Sequence, residues 1–392
     1  MTYELASPTW NDDEIDVAIS VLRSGELSMG AQVSNFERDF AEYIGTKYAV
    51  MFNSGSSANL GMVAAMRYFK GSKIKEGDEI IVPAVSWSTT YYPVNQAGFV
   101  LNFVDIDPET LNMDINLVRK AINGKTRAIF AVNLLGNPAH LLELRAIADE
   151  HNLYLIEDNC ESLGARISNK RTGSFGLAGA HSFYFSHHIC TMEGGMVTTD
   201  SKELMEALIS IRAHGWTRGL EKDNSVYPKS ENEWEDLFRF VLPGYNLRPI
   251  ELSAAIGRVQ LKKFGGFLSE RRKNAAKFQE IFGNSSDFRI QQEVGESSWF
   301  GFSIVLTGKL EGKRTELIKF LTDKGIATRP IVAGNFAKNP VMKHLIHSQI
   351  PPLPNSDFID TNGFFIGNHH FDVSTHLLNI RKLIESFVEG LN

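Results

Sequence analysis

The order of short apolar runs and helical stretches predicts an α/β fold: a large domain around a mainly parallel seven-stranded sheet, then a smaller α+β C-terminal domain. Three observations carry this. Seven short apolar runs between residues 48 and 199 alternate mostly with helical segments. Polar clusters follow several of these runs directly, as happens at the carboxyl ends of parallel strands. Beyond residue 249 the pattern changes to one long helix followed by isolated strand and helix signals, which puts the domain boundary at 1–249 and 250–392.

The elements follow in order. From Asn11 to Leu27 an acidic start precedes Ile15, Val17, Ile19, Val21 and Leu22, the pattern of a capped amphipathic helix. Val33 to Tyr43 forms a second, with Phe36, Phe40 and Tyr43 on one face. The strand candidates are Tyr48–Phe52, Glu79–Pro83, Val100–Val104, Arg127–Val132, Tyr154–Glu157, Ala180–Phe185 and Gly195–Thr199. A helix is expected from Lys202 to Arg212, a surface loop from Glu221 to Glu235, and a long helix from Pro249 to Phe282. Ser297–Leu306 then reads as a strand and Lys313–Lys324 as a helix.

With 392 residues, 43% apolar and 22% charged, the composition is that of a globular chain with two or three cores. A net charge of −6 gives no footprint for nucleic acid or an anionic membrane, so the expected partner is a small molecule. The acidic start lacks the blocks of a signal peptide, and no stretch reaches the ~18 apolar residues of a membrane span, which predicts a cytoplasmic protein. Cys160 and Cys190 are the only cysteines, too few for a disulfide framework or a four-cysteine metal site.

Four clusters carry chemistry. Asn53-Ser-Gly-Ser-Ser57 joins a strand to a helix, so it presents backbone N–H groups and hydroxyls as a phosphate cradle would; a plain helix cap fits the spacing equally well. Asp158 ends a buried strand, where a carboxylate needs either a cation or nearby backbone amides. A protonated pyridine nitrogen is one such cation. Trp87 follows the strand at 79–83 and can stack on a flat ring or pack in the core. His187 and His188 precede Glu193-Gly-Gly195, and adjacent residues in extended chain point apart, so at most one faces a given ligand.

Together these motifs, with Gly30, Phe36-Glu-Arg-Asp-Phe40, Ser182-Phe183 and Gly244-Tyr-Asn-Leu-Arg248, resemble the sugar aminotransferases of the aspartate-aminotransferase fold, the type I pyridoxal-phosphate enzymes. The resemblance spans nearly the whole chain. In that family the residue five after the serine matching Ser182 is the lysine that bonds to the cofactor; here it is His187. Longer runs, among them Val82–Pro93, Val132–Pro138, Arg212–Arg218 and Glu296–Phe302, resemble the branch that shares this exchange and deoxygenates nucleotide sugars.

The resemblance implies pyridoxal and pyridoxamine phosphate as cofactors. It implies phosphate contacts from Gly55, Ser56, Ser57 and Ser182, ring stacking by Trp87, Asp158 on the pyridine nitrogen and Glu161 near the ring hydroxyl. Asn246 would reach the phosphate of a neighbouring subunit, and Met29 would also cross, which implies a homodimer. His214, Arg218 and Arg329 are assigned to the anionic nucleotide sugar, each with an alternative as a surface or salt-bridged residue. His187 would be the base, because imidazole titrates near neutrality but forms no stable covalent link to an aldehyde. The expected reaction removes the C3 hydroxyl of a nucleotide-linked 4-keto-6-deoxyhexose with glutamate as amino donor, releasing 2-oxoglutarate and ammonia. The nucleotide, GDP or CDP, stays open, as does a non-catalytic cofactor-binding protein. With two cysteines, an iron–sulfur version is rejected.

Overall fold

The computed structural model describes residues 2–391. Strands β1 (Tyr48–Phe52), β2 (Glu79–Pro83), β3 (Val100–Val104), β4 (Thr126–Val132) and β5 (Tyr154–Asp158) are followed by a small hairpin of β6 (Arg166–Ile167) and β7 (Lys170–Arg171). Next come β8 (Ala178–Ser182) and β9 (Gly195–Thr199). The main sheet has the order β1-β9-β8-β5-β4-β2-β3. All pairings are parallel except the two that β9 makes with β1 and β8, so six strands run one way and β9 alone runs back. The carboxyl ends of β1, β2, β5 and β8 therefore lie on one edge, together with the start of β9.

Period-two alternation sorts the strand residues between two cores. Val50, Phe52, Val82, Phe130, Ile156 and Val197 face one apolar layer, while Ile81, Ile129, Ala131 and Leu155 face another. Helices α1 (Asp12–Ser24), α2 (Ala31–Ile44), α3 (Gly55–Met66), α4 (Ser88–Gln96), α5 (Ile115–Ala121), α6 (Leu141–Glu150) and α7 (Lys202–Arg212) cover the sheet and its β1 edge. Asn11 and Glu14 form a capping box at the start of α1, as the acidic opening predicts. Glu251 plays the corresponding part for α2 from a distance. Its carboxylate accepts from the backbone N–H groups of Gly30, Gln32 and Val33 at 2.7, 2.7 and 2.9 Å.

After the short α8 (Glu233–Asp236), the long α9 (Glu251–Phe282) leads into a four-stranded sheet. Its strands are β10 (Phe288–Ile290), β11 (Gly301–Leu306), β12 (Arg329–Pro330) and β13 (Gly363–Gly367), in the order β10-β11-β13-β12. Helices α10 (Arg314–Asp323), α11 (Pro354–Asn362) and α12 (Ser374–Glu389) complete this part, with Phe278, Phe302, Leu317 and Ile380 in one core. Among the described residues no helix is long and apolar enough to cross a membrane.

Two strand expectations shift. The run expected at 180–185 is strand only to Ser182, because its partner β9 begins at Gly195, opposite Ser182; the Phe183 N–H still donates to the Gly194 carbonyl and its carbonyl accepts the Thr191 N–H, and the chain leaves the ladder at Tyr184. Tyr184 and Phe185 are exposed instead. The strand expected from Ser297 starts at Gly301; Trp299 has φ +49°, which an extended strand cannot contain.

Candidate active site

Gly55 opens α3 at the end of β1, and Ser54 caps it by accepting the Ser57 N–H at 3.1 Å. The first N–H groups of the helix, those of Gly55 and Ser56, have no partner within it and point toward the sheet edge. Ser182, at the end of β8, lies directly against Gly55: a Cβ on Gly55 would stand 2.4 Å from the Ser182 Cβ and 2.7 Å from its Oγ. Only glycine lets these two segments meet. Backbone donors, a helix N-terminus and the hydroxyls of Ser56, Ser57 and Ser182 thus share one cradle suited to a phosphate.

Asp158 ends β5 and is buried. Its Oδ2 accepts from Asn59 Nδ2 at 2.8 Å and from Thr90 Oγ1 at 2.7 Å, and its Oδ1 from the Cys160 N–H at 3.2 Å. Among the described residues no lysine, arginine or histidine pairs with it. A carboxylate so placed is arranged for a cation that the chain does not supply. Trp87, at the mouth of α4, is 58% exposed, so it is not core and its ring is free to stack. Glu161 accepts the Leu135 N–H at 3.0 Å, and burial, reinforced by the nearby Asp158 charge, pushes its pKa up to about 7.

The two histidines part company. His188 is buried, its Nε2 bonded to the Ser298 carbonyl at 3.1 Å. His187 is half-buried, with Phe300 at 5.2 Å and Tyr184 at 5.9 Å presenting edge-on rings to it. Loss of water around the imidazole, together with the Arg271 cation, lowers its pKa to about 4, so it is neutral at pH 7.

A phosphate cradle, a buried carboxylate awaiting a cation and an exposed indole fit a phosphorylated pyridine ring. Residues 8–371 match the DegT/DnrJ/EryC1/StrS aminotransferase family. The chain belongs to this family. It is 48% identical over 387 residues to a GDP-4-keto-6-deoxy-D-mannose 3-dehydratase of Yersinia pseudotuberculosis, covering 98% of both chains. The solved E. coli GDP-4-keto-6-deoxy-D-mannose-3-dehydratase with bound hydrated PLP superposes with a TM-score of 0.95 at 48% identity, covering 98% of this chain and 99% of that one. A mutant of a GDP-4-keto-6-deoxymannose-3-dehydratase with bound GDP-perosamine gives the same TM-score, 0.95, and the same 48% identity, covering 98% and 100%. The fold of this aminotransferase-family chain is therefore that of the type I pyridoxal-phosphate enzymes.

The remaining expected residues divide. Met29, Arg218 and Asn246 line a cavity of about 780 Å³ with Arg212, Trp216 and Arg248. His214 lies beside it, its ring 4.9 Å from Trp216 and its backbone N–H bonded to the Tyr245 carbonyl. No hydrogen bond or ring contact among the described residues ties this group directly to His187; its bonds to the sheet are the Asn53 N–H on the Leu247 carbonyl and Arg212 Nη1 on the Met51 carbonyl. Arg329 is exposed on β12 opposite Phe365, with no hydrogen bond or ion pair to the other expected residues among the described residues. Sequence reasoning missed Asn59, Thr90 and Phe300. Asn59 carries the signal of a polar residue inside an otherwise apolar helix; Thr90, in a polar stretch, and Phe300 carry none.

Proposed function

We propose that this chain is a pyridoxal-phosphate-dependent dehydratase that removes the C3 hydroxyl of GDP-4-keto-6-deoxy-D-mannose. Glutamate donates the amino group, and the products are GDP-4-keto-3,6-dideoxy-D-mannose, 2-oxoglutarate and ammonia. The observation that carries the reading is a neutral, half-buried histidine at position 187 where an aminotransferase keeps lysine. When bound, the cofactor supplies an electron sink and an amino group that is renewed from glutamate.

The residues divide the work as follows. The N–H groups that open α3 and the hydroxyls of Ser56, Ser57 and Ser182 hold the phosphate. Asp158, itself fixed by Asn59 and Thr90, keeps the ring nitrogen protonated, and Trp87 stacks on the ring. Glu161 sits by the ring hydroxyl. His187 would take and return a proton at an imidazole nitrogen and, having no primary amine, would form no covalent anchor to the cofactor. His188, bonded to Ser298, packs behind it.

We further read the chain as a homodimer. Asn246 and Arg218 are exposed beside a rim of exposed apolar residues, Leu27, Ile250, Phe238 and Phe240, and Asn246 and Met29 of one protomer would complete the site of the other. His214, Arg218 and Arg329 are assigned to the anionic sugar nucleotide. We place the enzyme in the cytoplasm and its domain boundary near residue 250. The decisive experiment incubates the protein with pyridoxal phosphate, glutamate and either GDP- or CDP-4-keto-6-deoxyhexose, following 2-oxoglutarate, ammonia and the sugar. Turnover of the GDP sugar is expected; no ammonia from either would overturn the reading.

A further inference from the structure

Arg271, midway along α9, is buried and has no carboxylate partner among the described residues. Its Nη1 donates only to main-chain carbonyls, those of Trp299 at 3.4 Å, Phe300 at 3.2 Å and Asn368 at 2.9 Å, and its Nε donates to nothing. A guanidinium withdrawn from water without a counter-ion is costly, so the fold retains it against a penalty. Its location relative to the histidine pair supplies the reason.

Two of the carbonyls it grips, those of Trp299 and Phe300, belong to the turn that walls the site. Trp299 in that turn has φ +49°, and the Asn368 side chain also bonds the Trp299 carbonyl, at 2.9 Å. The Phe300 ring stands 5.2 Å from His187 and 5.8 Å from His188, while the Ser298 carbonyl holds His188 Nε2. The Phe300 N–H bonds the Leu135 carbonyl, and the Leu135 N–H holds Glu161. One clamp therefore reaches both histidines and, through Leu135, Glu161.

We propose that Arg271 is the positioning residue for the base: its buried cation clamps the Ser298–Phe300 turn, sets the Phe300 ring against His187 and places a fixed positive charge behind the histidine pair. The inference rests on reading His187 as the base. The groups that face His187 are Tyr184, Ser186 and His188 from its own loop, the Phe300 ring, and the Arg271 cation from α9, while Arg272 acts on His188. Arg272 is engaged by Glu296 and by the Ser297 and Gly164 carbonyls. Arg271 is the charge that acts on His187, adding to burial in keeping the imidazole unprotonated. A histidine at its ordinary value of about 6.5 would be partly charged at neutral pH and unable to accept a proton in that fraction of molecules. With Arg271 adding to burial, His187 is in the base form across the physiological range.

The test titrates the full-length, cofactor-free protein with ¹³C-labelled histidine by NMR, the His187 signal being assigned by its loss in His187→Asn. In the wild type, His187 is expected to titrate below pH 5. Arg271→Gln should raise that value by about one unit. Arg271→Lys, which keeps the charge but not the planar three-carbonyl grip, should leave the titration near wild type while kcat falls about tenfold at unchanged KM. Wild-type titration near 6.5, or an Arg271→Gln titration identical to wild type, overturns the proposal. If Arg271→Gln fails to fold, the wild-type titration and the Lys variant still decide. The titration needs no turnover, so failure of the dehydratase reading, seen as absence of ammonia from any nucleotide sugar, is read separately.

Discussion

The contact between Gly55 and Ser182 can be tested with a single methyl group. In Gly55→Ala the new Cβ would stand 2.4 Å from the Ser182 Cβ, 2.7 Å from its Oγ and 3.0 Å from its Cα, against about 3.5–4.0 Å for an ordinary carbon contact. One of these neighbours is backbone, so rotating the serine does not relieve the clash; the end of β8 and the start of α3 must separate by about an ångström. Overpacking of this kind costs about 1–3 kcal/mol, which lowers the thermal midpoint of the cofactor-free protein. The same displacement spreads the donors of the phosphate cradle, and a misplacement of that size costs about a hundredfold in an oriented interaction. The assay is titration of the cofactor-free protein with pyridoxal phosphate by absorbance, beside a melting curve. Ser56→Ala is the comparison: its side chain is exposed, so the melt should not move, while loss of one charge-assisted hydrogen bond, about 1.5–3 kcal/mol, weakens the cofactor by roughly ten- to a hundredfold. If Gly55→Ala binds the cofactor and melts as the wild type does, the cradle has been drawn in the wrong place.

Three further outcomes follow from particular residues. His187→Lys should restore a covalent link to the cofactor, visible as an absorbance band that borohydride fixes, and should abolish ammonia release; deoxygenation at the native rate would refute the role given to His187. For Glu161 the sign is set by a folded pKa raised from 4.5 to about 7: its favourable, protonated form is fully present below pH 4.5 and lost as pH rises through 7. Urea unfolding should therefore find cofactor-free Glu161→Gln more stable than wild type by about 2–3 kcal/mol at pH 8 and little different at pH 4.5. Glu251→Ala strands three N–H groups at the start of α2, that of Val33 buried, and should cost about 1–3 kcal/mol in the same measurement, whereas Glu251→Gln, which keeps one acceptor, should cost less.

How far the sequence reaches depends on the range of the force involved. The alternation of Val50 and Phe52 with Ala49 and Met51 follows from the two-residue period of a strand, so the seven strands and their faces were legible in the chain. The absence of a primary amine at position 187 is likewise a property of residue type, and no folding restores covalent chemistry to an imidazole. Where β8 stops was not legible, because Phe183–Phe185 are as apolar as a strand requires and the ladder ends only where β9 begins, at Gly195. Its place five residues after Ser182 already sets His187 apart from His188, and the fold adds only the reason His188 is occupied elsewhere: the Ser298 carbonyl, 110 residues away, holds it. Asp158 is held by Asn59 and Thr90, 99 and 68 residues distant, and His187 is walled by Phe300 under the charge of Arg271. Those partners meet only when the chain has closed. Desolvation and short-range hydrogen bonds act in three-dimensional space, and they set the protonation state of the histidine that the sequence could only place.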